Sequence, residues 1–270
     1  MPKLQPSAHA RGPRDAILRG RLEPARPNIA PMVDFEALRD APKGRVPEVR
    51  NAYRFLRGAH SSVSRLFEVV QNMSQSRRTT NRDARGRMAS EEVDVLRAAI
   101  VFTSSGLDAS MKRLVNDAGR YLVPIAGTGA RGEYEAFLRR KLSEPEQDKR
   151  LLTAVASIDP AGALMEYYLA ERSRASFQGS GDLESRVRKC LGIAGSRVPT
   201  ATLQNLDEFF VARNSIVHSM DYVDVGTSAK SRRFHRSSDE TTALCNGTFA
   251  VAADLIHAVA DVVIAHRPQR

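Results

Sequence analysis

Apolar residues recur along this chain at helical spacing, in blocks too long and too regular for strands. Between Glu48 and about Gln75 the positions Val49, Tyr53, Leu56, His60, Val63, Leu66, Phe67 and Val70 form one stripe. That predicts a helix with a single buried face, on which His60 reads as a core or boundary histidine. A second stripe, Val93, Leu96, Ile100, Leu107, Met111 and Leu114, predicts a long helix reaching about Asn116 or Leu122. Ser90 is placed to cap it, and Glu91 and Glu92 put negative charge where the helix dipole favours it. Shorter helices are predicted over 133–142, 146–157, 161–177 and 183–191. The last, Thr241 to about Ala265, is apolar around much of its circumference, which suits the interior of a bundle or a dimer interface. The predicted fold class is all-α, an antiparallel helical bundle.

Polar punctuation divides the chain. Residues 1–47 are rich in Pro and Arg and predict an extended or partly disordered arm with one short helix near Phe35 to Arg39, leaving 48–270 as the helical domain. Ser76 to Arg87 holds five arginines and no apolar anchor, and reads as a basic linker. Gly127 to Gly132 spells GxGxxG, but a long helix rather than a strand precedes it, so it is a loop and not a dinucleotide fingerprint. Tyr167 and Tyr168 read as packing residues.

The charge balance, 41 Lys plus Arg against 31 Asp plus Glu, gives +10 and a sequence pI near 10.0. Such a surface attracts polyanions, of which nucleic acid is the usual one. The two cysteines, Cys190 and Cys245, lack ligand spacing, so no metal site and no cofactor is expected, and free thiols in a reducing compartment are. With no apolar run near the ~20 residues that cross a bilayer and no apolar leader at the N-terminus, the expectation is a soluble, cytoplasmic protein without membrane contact.

Candidate chemistry concentrates in Leu203 to Asp221, LQNLDEFFVARNSIVHSMD. Leu203, Leu206, Phe209, Phe210, Ile216 and Val217 keep helical spacing, and Arg213, Asn214 and His218 interrupt it. Arg stays charged at every physiological pH, whereas His gains and loses its proton there. Five positions apart, they lie about 140° apart on an ideal helix. They meet in one cleft only if the helix ends near His218 or the cleft lies between two subunits.

Arg213-Asn214-Ser215-Ile216-Val217-His218, followed by Asp221, resembles the catalytic motif of the HEPN superfamily, in the form carried by its RiboL-PSP-HEPN branch. The stretch from Glu92 through Ile100 to Asp108 is similar to that branch's first long core helix, and the resemblance covers roughly 90–265. It implies a metal-independent endoribonuclease acting as a toxin or in phage defence on transfer RNA or other single-stranded or looped RNA. It also implies a homodimer whose two motifs form one composite site, with an antitoxin or regulatory partner as a further possibility. In such a site Arg213 stabilises charge on the phosphorane and His218 transfers protons during attack of the 2′-hydroxyl, giving cyclic 2′,3′-phosphate and 5′-hydroxyl ends. Asn214 is expected to hold the motif backbone or touch phosphate, and Asp221 to fix the His218 tautomer. From the resemblance, Asp108 is the candidate for orienting Arg213.

Downstream, Tyr222 to Asp239 predicts a loop in which Lys230, Arg232, Arg233, His235 and Arg236 surround Phe234. Basic groups beside a ring are what single-stranded RNA binding uses. Three other readings stand beside the nuclease. Arg213 and His218 are merely a capped helix end and a boundary histidine, or the chain is a non-catalytic RNA-binding or dimerisation subunit, or it is a metal-dependent nuclease.

Overall fold

The computed structural model describes residues 34–80, 88–223 and 233–268. The fold is all-α. Two long helices, α1 (Pro47–Thr80) and α2 (Ser90–Leu122), are joined by α9 (Ser238–Ala265) to make the trunk. α1 and α2 run antiparallel, since the contacts Arg77–Glu92, Ala59–Gly106, Ala52–Ser110 and Asn51–Asp117 proceed in opposite directions along the two chains. A Cβ at Gly106 would lie 2.1 Å from that of Ala59, so the closest approach of the pair depends on the missing side chain. Against the far half of α2 pack α3 (Gly129–Leu142) and α5 (Pro160–Ser173), with α4 (Lys149–Val155) packed on α5. A short α6 (Ser180–Leu183) then runs into a π-helical segment, Glu184–Lys189, and α7 (Thr200–Gln204) leads to α8 (Asp207–Ser219), which lies on α2 and α9.

The stripes read from sequence are the core. Leu56, Val63, Leu96, Ile100, Leu107, Met111 and Leu114 are buried, as are Tyr167 and Tyr168. Cys190 and Cys245 are buried and unpaired. Contrary to the expectation from sequence, α9 is by length and composition apolar enough to cross a bilayer, yet most of that stretch is buried in the bundle.

Three local expectations change. The cap of α2 is Ala89 rather than Ser90, because the buried Glu92 reaches back to accept the Ala89 N–H at 2.9 Å and is neutralised by Arg77 at 3.1 Å. No helix forms at 35–39. Residues 34–46 are instead an extended strap across α1 and α9, with Phe35 stacked on His60 at 4.6 Å and the strap carbonyls of Glu36 and Asp40 hydrogen-bonded to His60 and His257. The Gly-rich loop serves packing: Thr128 caps α3, and Gly129 lies so near Gly192 that a Cβ there would sit 2.9 Å from the Gly192 Cα.

Candidate functional site

α8 begins with Asp207 and Glu208 at its dipole-favoured end and buries Phe209, Phe210, Ala212 and Ile216. It ends one residue past His218, where Met220 and Asp221 both take left-handed backbone angles, φ 52° and 63°. Such conformations cost roughly 1–2 kcal/mol for a residue with a Cβ, least for Asp and Asn. They persist because the turn is tied down: the N–H groups of Met220 and Asp221 donate to the carbonyls of Ile216 and Ser215 at 2.9 and 3.1 Å.

The principal tie is ionic. The Asp221 carboxylate is fully buried and accepts from Arg97 Nε at 3.0 Å and from Arg236 Nε and Nη2 at 3.0 and 2.9 Å. Burial by itself would raise the Asp221 pKa, but hydrogen bonds from Arg236, Ser215 and Arg97 outweigh it and hold the carboxyl below its usual range. Burial likewise opposes the charge on Arg236, and the bonds to Asp221 restore it and push that pKa up. Arg97 also bonds Asp94 at 2.7 Å and the Phe234 carbonyl at 2.8 Å, so one α2 side chain grips both ends of the 221–234 connection. Across the same connection Tyr222 and Arg233 form an isolated antiparallel bridge, and Arg233 bonds the Met220 carbonyl and Asp94.

Arg213 is half-buried. Its Nε donates to Ser104 of α2 at 3.2 Å and one terminal nitrogen to Asn214 Oδ1 at 2.7 Å, while the other bonds no described residue. His218 is exposed and bonds no described residue. Around them Val211, Val217 and Met220 are exposed apolar side chains. Arg213 turns toward α2 and His218 lies near the outward face with Val211, the separation that five helical steps dictate. No hydrogen bond joins the two.

Several expected roles change. Asp221 cannot orient His218, because its oxygens are committed to two arginines. Asp108 does not reach Arg213: it pairs with Lys112 at 2.8 Å and accepts the Phe177 N–H at 3.0 Å. Asn214 braces Arg213. Arg236, expected at the RNA, is a buried structural cation, and Arg233 is engaged by Asp94 with its guanidinium 5.4 Å from the Tyr222 ring. Phe234 is exposed, with Arg236 5.8 Å from its ring centre. Lys230 and Arg232 lie outside the described residues.

Arg97 and Ser104 were missed as site-forming residues. Their signal was present: both are polar interruptions of the α2 stripe, seven residues apart and therefore on one face, the face that receives α8. Among the described residues no three His, Cys, Asp or Glu side chains converge as a metal-binding set. No family model, curated protein or solved structure matches this chain.

Proposed function

We propose that this chain is a metal-independent endoribonuclease of the HEPN kind, working as a homodimer in which the exposed ends of two α8 helices face each other. Chief support comes from the pairing of an anchored cation with a free base at one helix end. Arg213 is braced by Ser104 and Asn214 yet keeps one terminal nitrogen free of described partners, and His218 stands in the open on another face of the same helix end. A braced guanidinium is preorganised for a phosphorane, and an unpartnered imidazole is available for proton transfer. One imidazole per chain is short of the acid and base that 2′-hydroxyl attack needs. A second chain supplies the other, and the exposed Val211, Val217 and Met220 give such a contact its apolar area. The toxin or phage-defence setting follows from the sequence resemblance alone.

A second reading has an observation of its own. With Asp221 committed to Arg97 and Arg236 and Asp108 to Lys112 and Phe177, neither His218 nor Arg213 has the carboxylate expected to orient it, as suits a non-catalytic RNA-binding subunit. Incubating the purified protein with transfer RNA and a long single-stranded RNA in excess chelator separates the two. Cleavage to cyclic-phosphate ends, lost in both Arg213→Ala and His218→Ala, is the expected result. Binding without cutting, or cutting that survives both substitutions, refutes the nuclease. Cutting restored only by a divalent ion refutes metal independence.

A further inference from the structure

The exposed side of α1 carries four arginines with no described partner. Arg50, Arg54, Arg57 and Arg65 are all exposed, and no carboxylate among the described residues pairs with any of them. Their spacing of i, i+4, i+7 and i+15 confines them to an arc of about 80° on an ideal helix, over a length of about 22 Å. Ser61 falls within the same arc, and Glu68 closes it at one end. The opposite side of α1, with Val49, Leu56, Val63, Phe67 and Val70, is buried in the core. Among the other exposed arginines, Arg113, Arg120, Arg174 and Arg197 pair with Asp117, Glu166, Glu171 and Asp261, whereas Arg45, Arg78, Arg139 and Arg140 have no ion pair among the described residues but lie outside this row; what sets the four apart is their alignment on one face.

Leaving four like charges in line is unfavourable by itself, since neighbours at i and i+4 repel. A linear polyanion reverses the sign. Guanidinium groups fit phosphate as two-pronged donors, and 22 Å is the length of several nucleotides. An anionic membrane is a poorer match, because an interfacial helix inserts an apolar face beside its cations, and most of that of α1 is spent on α2 and α9, with the exposed Phe55 and Val69 off the arginine arc.

We propose that the Arg50–Arg54–Arg57–Arg65 face of α1 is a docking track for the phosphate backbone of RNA. The contact is indifferent to base sequence and lies on a helix other than the one bearing Arg213 and His218. The choice of RNA rests on the nuclease reading above; the track itself does not.

The test compares the full chain carrying Arg50→Gln, Arg54→Gln, Arg57→Gln and Arg65→Gln with a control carrying Arg113→Gln, Arg120→Gln, Arg174→Gln and Arg197→Gln, which removes the same charge. Both are made in a His218→Ala background, so that RNA stays intact, and circular dichroism verifies folding. Affinity for a labelled single-stranded RNA is measured across salt concentrations, with phosphatidylserine vesicles and duplex DNA as alternative probes. Each lost contact to a single strand lowers the slope of log affinity on log salt by about 0.7, so the track variant should lose about 3 and bind roughly 10- to 100-fold more weakly at moderate salt. The control should change far less. Equal losses in both variants, an unchanged slope in the track variant, or an effect confined to vesicles overturns the proposal. Because binding is read without cleavage, failure of the nuclease reading leaves this outcome legible. If the chain does cut RNA, the track substitutions in the parental background should raise KM and spare kcat.

Discussion

Replacing Asp221 by Ala should destabilise the protein well beyond what a surface charge would. The carboxylate is completely buried and neutralises two arginines that are themselves nearly buried, Arg97 at 5% and Arg236 at 9% exposure. Removing one partner of a buried pair costs about 3–5 kcal/mol, because the charge left behind is desolvated without compensation. The lower end applies here. Arg97 would keep Asp94 and the Phe234 carbonyl, and Arg236 would keep Glu240. A loss of about 3 kcal/mol in a domain of this size corresponds to roughly 6–12 °C in Tm. Thermal unfolding followed by circular dichroism measures it, and a double-mutant cycle with Arg97→Ala should return a coupling above about 1 kcal/mol. The carboxylate also holds the left-handed turn that ends α8, so an RNA-cutting protein would lose kcat even at temperatures where the variant is folded. A Tm within 2 °C of the parent, or strictly additive effects of the two substitutions, would refute this account of the network.

The same carboxyl makes the protein acid-sensitive in a defined direction. Its folded pKa is depressed below the ordinary 3.8, so its contribution is complete above that value and disappears as pH falls through the folded one. The Tm of the parent should therefore drop more steeply below about pH 4 than that of Asp221→Asn, and parallel curves would contradict it. Ser104→Ala should release Arg213 Nε and cost about 1 kcal/mol of its positioning, roughly a fivefold fall in single-turnover cleavage without a change in Tm above 2–3 °C. Gly192→Ala should cost about 3 kcal/mol in urea denaturation, since Gly192 has φ +67° and the added Cβ would lie 2.6 Å from the Ala130 nitrogen.

The helices were legible in the sequence because a buried stripe must repeat every 3.6 residues. α1, α2 and α9 fall within a few residues of their predicted limits. Their ends were less legible. At α2 the capping group is a buried glutamate whose presence depends on Arg77 from another helix, and no local rule contains that partner. The strap at 34–46 reads as a Pro-containing arm, and only contact with His60, Phe249 and His257 makes it part of the body.

At the candidate site the division is similar. Helical geometry alone placed Arg213 and His218 on different faces, and so it stands in the structure. Sequence spacing could not assign the carboxylates, because an acid takes whichever cation packing brings to it. Asp221 lies three residues from His218 in the chain but turns inward to Arg97, 124 residues away, and to Arg236, because two guanidinium groups compensate a buried carboxylate far better than one exposed imidazole. Period and composition along the chain determined the all-α bundle and the cationic character. The tertiary structure decided which charges are spent within the fold and which, on α1 and at the end of α8, stay without an ion-pair partner among the described residues.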